Sequence, residues 1–74
     1  MIQDRPTGEL VRIVAAGGGI DMDMTGRPIE DLARIATAAA RTGARVVFRG
    51  TRGRPVTDLI AIATAGKGCV TFAG

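Results

Sequence analysis

Two carboxylates and a hydroxyl alternate along a short stretch of this chain. Asp21, Asp23 and Thr25 are spaced two apart in IDMDMTG, so an extended strand presents all three on one face. Carboxylate oxygens are ligands for Mg²⁺ and Ca²⁺, but two of them on a strand do not complete the oxygen cage that these cations require. We therefore predict no metal site, and we expect Asp21 to pair with Arg45 across the sheet.

The same segment resembles the Asp-x-Asp-x-Thr signature of the haloacid dehalogenase superfamily. The resemblance implies that Asp21 is a phosphoryl-transfer nucleophile, Asp23 an acid/base and Thr25 a phosphate contact, with Mg²⁺ held by carboxylates. That chemistry also requires a downstream lysine and a further acidic pair. Lys67 is the only lysine, and the acidic pair at 30–31 belongs to the start of a helix. We therefore expect no phosphatase site, no catalytic residue and no cofactor.

Two further motifs favour structural roles. Cys69 is the only cysteine in a chain without histidine, so it forms no internal disulfide and no imidazole activates its thiol. The glycines at 17–19 follow a helical pattern and open a strand, whereas a phosphate-binding glycine loop follows a strand and opens a helix. We interpret Cys69 as a half-buried small residue and the glycines as a helix end and a turn.

The most basic region lies around the turn 49–54, whose sequence RGTRGR resembles Arg-Gly segments that bind nucleic acid. The turn has no interleaved aromatic residues on which bases would stack, which favours an ordinary solvated turn. Its arginines still make this region the best candidate for contact with a polyanion: Arg45, Arg49, Arg52 and Arg54.

The chain contains three copies of one unit, at 5–26, 27–50 and 54–74, with a spacer at 51–53. Each copy begins with Arg-Pro, ends with Gly and contains the pattern Arg-Pro-x-x-acid-Leu-x-x-Ile. The matched columns are an acid (Glu9, Asp31, Asp58), a leucine (Leu10, Leu32, Leu59) and an isoleucine (Ile13, Ile35, Ile62). Because a repeat determines architecture more directly than a short motif does, we interpret 21–25 as part of a repeated unit.

Each copy has a helical half followed by a strand half. Apolar residues three and four apart, as at Leu32, Ile35 and Ala36, indicate a helix, and the alternation that follows indicates a strand. The predicted helix ends are Pro6, Pro28 and Pro55 in the first turns and Gly17, Gly43 and Gly66 as caps. The predicted helix-facing strand residues are Ile20, Met22, Met24, Ala44, Val46, Phe48, Gly68, Val70 and Phe72.

Strands joined by helices run parallel with right-handed crossovers. The sequence therefore predicts an α/β fold: three helix–strand repeats forming a short right-handed solenoid, with a three-stranded parallel sheet and helices on one face. This arrangement resembles leucine-rich-repeat-like α/β solenoids, and DLIAIATAGKGCVTF resembles short helix–strand repeats of bacterial proteins. The resemblance covers residues 5–74 and concerns architecture alone. The Leu-x-x-Leu-x-Leu-x-x-Asn consensus is absent, and no catalytic residue carries over.

Composition limits the classes of protein that fit. A chain of 74 residues allows one domain near the lower size for a sufficient core, and that core must be built from aliphatic residues because only 3% are aromatic. Nine of the ten basic residues are arginine and the net charge is +3, which favours only weak attraction to polyanions. No apolar run reaches 18 residues and no signal peptide is evident, so we expect no membrane span and a cytoplasmic location.

Two features of the predicted fold lack a partner, namely the edges of the sheet and the face opposite the helices. The last strand, CVTFA, carries no charge or proline that would discourage pairing with another chain, and no capping unit follows it. We therefore expect a non-enzymatic repeat module that forms homo-oligomers through these edges, the open face or both. The alternative is a domain that binds an acidic partner such as nucleic acid through the arginine-bearing sheet face and the turn 49–54. The expected interface residues are Asp21, Asp23, Arg45, Val47, Arg49, Cys69, Thr71 and Ala73.

Overall fold

The computed structural model describes residues 1–74 and alternates helices with strands in the predicted order. The helices are α1 (Thr7–Ala15), α2 (Ile29–Thr42) and α3 (Val56–Gly66), and a 3-10 turn, Ile2–Asp4, precedes them. The strands are β1 (Ile20–Asp23), β2 (Val46–Arg49) and β3 (Val70–Ala73). All strands are parallel in the order β1-β2-β3, which confirms the predicted α/β class and sheet. None of the helices combines the length and apolar character needed to cross a bilayer.

Each helix begins directly after a proline. Pro6, Pro28 and Pro55 lie one position before the helix, not within its first turn as predicted, and share an extended ψ of 149–150°. This placement suits proline, because the carbonyl of Pro28 still accepts hydrogen bonds from the N–H groups of Asp31 (3.1 Å) and Leu32 (3.3 Å). Proline has no N–H to donate, and the residue before a helix is not required to donate one, so no helical hydrogen bond is lost.

The helix ends match the prediction only in part. Gly43 caps α2 with φ 76°, as predicted, and Gly17, with φ 98°, follows the cap residue Ala16 of α1. The prediction for Gly66 was wrong, because α3 includes this glycine and the left-handed residue is Lys67, with φ 48°. Gly66 lies where the helix meets the next strand.

Burial alternates along β1 and β2 as predicted, and the even-numbered positions of the strands join the helices in one apolar core. Phe48 occupies the centre of the sheet with no exposed surface, and its ring stacks on that of Phe72 with centroids 6.3 Å apart. Gly68 is the exception among the predicted core positions: it is exposed, because it belongs to the turn before β3, where its φ is 88°.

Candidate interaction surfaces

Asp21 forms a two-pronged ion pair with Arg49 on the open face of the sheet. The Nε of Arg49 donates to Asp21 Oδ1 at 2.7 Å, and its Nη2 donates to Oδ2 at 2.9 Å. The predicted pairing with Arg45 was wrong. Asp21 lies opposite Val47, so both arginines are diagonal neighbours, and Arg49 is the one that meets the carboxylate with parallel donors. Arg45 makes no ion pair.

The two carboxylates of the β1 segment are held in their ionised forms. Hydrogen bonding from the Arg49 side chain lowers the pKa of Asp21, and its positive charge acts in the same direction. Hydrogen bonding from the Thr25 side chain and then from its backbone N–H, 2.8 Å from Oδ1, lowers the pKa of Asp23. Lowered pKa values suit hydrogen-bond acceptors and do not suit proton donors near neutral pH.

No further ligand or lysine joins these carboxylates. The structure contains no group of three or more residues arranged to hold a metal ion. Lys67 precedes β3, whereas Asp23 ends β1, so the parallel sheet places them at opposite ends. The geometry places Asp21 and Asp23 on the exposed face of β1.

The eight predicted interface residues occupy the odd-numbered positions of the strands or the turn before them, and their registers align across the sheet. Charge is confined to β1 and to the two arginines at the ends of β2, while β3 presents a neutral surface. Val47, Cys69 and Ala73 are half-buried and the remaining five are exposed. The open face is thus charged toward β1 and neutral toward β3.

A ladder of arginines links successive units, and we did not anticipate it from the sequence. Arg27, the first residue of the second copy, donates to the carbonyls of Gln3 and Arg5, both at 2.6 Å, and to the Thr7 hydroxyl at 2.7 Å. Each bond joins the second unit to residues 3–7, at or just before the start of the first unit. The signal was present in the sequence as the arginine that begins every copy.

An equivalent contact joins the third unit to the second. Arg54 donates to the carbonyls of Met24, at 2.9 Å, and of Arg27, at 2.5 Å. The carbonyls of Arg5 and Arg27 therefore each accept an arginine from the following unit. The carbonyl of Arg54 accepts no hydrogen bond within the chain.

Two of the four arginines assigned to the basic region already have partners within the chain. Arg54 is half-buried against the second unit, and Arg49 is paired with Asp21. Arg45 and Arg52 remain exposed and free of ion pairs. The positive surface available to a polyanion is therefore smaller than the sequence indicated.

Burial in the leucine column shows which way each unit faces. Leu10 and Leu32 have no exposed surface, whereas Leu59, in the last unit, is only half-buried. The leucines of the first two units are covered because another unit follows each of them. The leucine column therefore points toward the following unit.

The isoleucine column has the opposite gradient. Ile35 and Ile62 have no exposed surface, whereas Ile13, in the first unit, is half-buried. This column points toward the preceding unit. Each unit thus has a forward face and a backward face, and the first and last units each leave one of them uncovered.

The two uncovered faces differ in shape and chemistry. At the forward end, Val56 and Ile60 of α3 are 68% and 58% exposed. At the backward end, a groove of about 330 Å³ is lined by Arg5, Glu9, Arg12 and Ile13. An apolar ridge therefore lies at one end of the molecule and a partly charged groove at the other.

In comparisons with family models, curated proteins and solved structures, the chain matches none.

Proposed function

We propose that this chain is a non-enzymatic, self-assembling repeat module, built as a short right-handed α/β solenoid, that oligomerises through its uncovered edges and faces. The observation that carries the proposal is the opposed burial of the leucine and isoleucine columns. Inside the chain, every forward face is covered by the next backward face. Leu59 and Ile13 are the positions at which this pairing stops.

The small area of the apolar ridge formed by Val56 and Ile60 determines how much further surface association must bury. Fully burying a valine or isoleucine side chain contributes about 1.5–3 kcal/mol. Bringing two molecules together costs about 4–15 kcal/mol in lost freedom of motion and ordering. Burial of Val56 and Ile60 supplies at most about 6 kcal/mol, which offsets only the low end of this cost. Stable association therefore draws on the backbone edge of β3 and the half-buried Phe72 as well. β3 suits this role because it carries no charged residue or proline.

Solution mass tests the proposal. We expect size-exclusion chromatography with light scattering to give a mass above the 7.6 kDa of one chain, increasing with concentration. A dissociation constant of about 1 μM corresponds to about −8 kcal/mol, so dilution series should extend well below and well above that value. A stable monomer throughout this range would refute the proposal.

A pair of neighbouring substitutions on α3 locates the surface. Ile60→Asp places a charge on the apolar ridge and should return the chain to a monomer, without harming a fold in which Ile60 is already exposed. Ala61→Asp is the matched control, because Ala61 is exposed and the equivalent residues of the other copies, Arg12 and Arg34, are polar. Equal effects of the two substitutions would remove α3 from the interface.

A second candidate function is binding of an acidic partner, nucleic acid included. It is favoured by Arg45 and Arg52, which are exposed and unpaired, and by the net charge of +3. Binding of this kind weakens steeply with salt, because phosphate contacts release counterions. A monomeric chain whose affinity for single-stranded nucleic acid falls with salt, and falls further in Arg45→Ala and Arg52→Ala, would place this function first.

A further inference from the structure

We infer that copies of the chain associate head to tail, with the α3–β3 end of one against the α1–β1 end of the next, and that Arg5 of the second copy binds the Arg54 carbonyl of the first. This inference rests on the proposed self-assembly. It adds a direction of assembly and a residue that recognises the neighbouring copy.

The arginine ladder supplies the first argument. Arg27 binds the Arg5 carbonyl and Arg54 binds the Arg27 carbonyl, so the donor always belongs to the later unit. Within residues 1–74, Arg5 is the ladder arginine that binds no backbone carbonyl, and the Arg54 carbonyl is the ladder acceptor that receives no arginine. Only a head-to-tail arrangement brings this donor and this acceptor together.

Arg5 is available for that contact at small cost. Its Nη1 donates to Glu9 at 3.0 Å, in an ion pair whose two side chains are 59% and 49% exposed. Exposed pairs of this kind contribute little to stability, so exchanging Glu9 for a carbonyl of a neighbouring copy is not prevented. Arg5 also lines the groove at the backward end, beside the half-buried Ile13.

The strand edges supply the second, independent argument. The N–H of Ile20 donates to the carbonyl of Arg45, and the N–H of Val46 donates to the carbonyl of Cys69. Alternate residues of a parallel strand direct their peptide groups to the same neighbour, so Val70 and Phe72 direct theirs away from β2. Continuing the same register places Val70 of one copy beside Ile20 of the next.

Pairing of two like edges lacks this match. A two-fold axis that joins β3 to a second β3 makes the strands antiparallel, and it places Arg5 of each copy far from the other copy's Arg54 carbonyl. The internal sheet is parallel throughout. In the same register, Met22 of a head-to-tail neighbour lies beside Phe72, as Phe72 lies beside Phe48 within the chain. The structure thus offers a complementary pair of ends for one arrangement only.

The 3-10 turn at the start of the chain lies at one end of the proposed contact between β3 and β1. Ile2 lies three residues before Arg5, as Met24 lies three before Arg27, and the turn packs beside β1. By this equivalence in sequence, the turn corresponds to the residues that follow a strand and precede the next arginine. The register that places Val70 beside Ile20 therefore brings Gly74, the last residue of the incoming copy, next to this turn.

Cross-linking tests the direction of assembly. In a Cys69→Ser background, the register places Thr71 of one copy beside Asp21 of the next, on the open face. We expect Thr71→Cys and Asp21→Cys proteins to form a disulfide-linked dimer under mild oxidation only when they are mixed. Thr71→Cys alone should remain unlinked. If loss of the Arg49 pair prevents Asp21→Cys from folding, Ala73→Cys with Asp23→Cys tests the same register.

Light scattering on the same samples separates the two proposals. Self-linking of Thr71→Cys, or no link in a mixture that light scattering finds associated, would overturn the head-to-tail inference and leave self-assembly standing. A monomer at every concentration would overturn both.

Substitution of Arg5 tests the recognising residue. Arg5→Ala should weaken association about tenfold, since the bond joins a charged donor to an otherwise unpaired carbonyl. Arg5→Lys should restore it only in part, because lysine lacks the planar fork. Arg34→Ala is the matched control on the exposed surface of α2. The urea midpoint of the monomer should be the same in all three variants, and unchanged association of Arg5→Ala would refute the role of this residue.

Discussion

Replacing Phe48 by alanine removes the largest side chain from the middle of the sheet. Phe48 has no exposed surface, lies in register between Met22 and Phe72, and stacks on the latter ring. Truncation of a buried phenylalanine costs about 3–5 kcal/mol, because transfer energy is lost and a cavity remains. A domain of this length has a total stability of roughly 4–11 kcal/mol at 0.05–0.15 kcal/mol per residue. We therefore expect Phe48→Ala to lose between about a quarter of its stability and all of it.

Urea unfolding followed by circular dichroism measures this loss, since the chain has no tryptophan or tyrosine to report by fluorescence. Phe72→Ala is the control: Phe72 is half-buried on the last strand, so its truncation should cost clearly less. If Phe48→Ala does not fold, Phe48→Leu keeps the site apolar and should cost about 1–2 kcal/mol. A cost of less than about 1 kcal/mol for Phe48→Ala would show that Phe48 does not anchor the core.

Three further results follow from single contacts. Gly66→Ala should lower the free energy of unfolding by about 1–3 kcal/mol, because its Cβ would lie 2.5 Å from Cγ2 of Val70, and an unchanged urea midpoint would contradict that close approach. Arg27→Ala should increase amide hydrogen exchange at 2–10 more than in α3, since Arg27 ties that segment to the second unit, and equal increases in both would contradict the ladder. Stability should fall as pH drops below about 3.9, the ordinary pKa of aspartate, toward the lower folded pKa of Asp21, because a lowered pKa stabilises the fold only above that range. Asp21→Asn should flatten this part of the urea-midpoint profile against pH, and an unaltered profile would contradict the pairing with Arg49.

The repeat made the order of elements and the buried strand face predictable. Once three copies align, a helical pattern in one supports its equivalents in the others, and the closing glycines set which strand residues face the helices. Val46 and Phe48 were placed correctly on this basis. Such predictions depend on the spacing of apolar residues and on their place in the repeat, and both can be read directly from a sequence.

The side-chain partners could not be obtained in the same way. Asp21 has two arginines at diagonal positions, and the choice of Arg49 depends on side-chain reach and the angle of the guanidinium. The cap at Gly66 was misplaced because close packing against Val70, and not a left-handed turn, requires a glycine there. Arg27 shows the same limit: the column of arginines was visible, but its acceptors are backbone carbonyls that have no sequence signature.

The weak burial of the last unit implies that local unfolding is not uniform along the chain. α3 buries only Ile62 and Gly66, and β3 buries no residue, whereas α2 buries five. Local opening is least costly where few apolar contacts must be broken, so the end at α3 and β3 should fray first and most often. The same residues form the proposed site of contact with another copy. A neighbour would therefore suppress the fraying, and slowed amide exchange in α3 and β3 on raising the concentration would report association residue by residue.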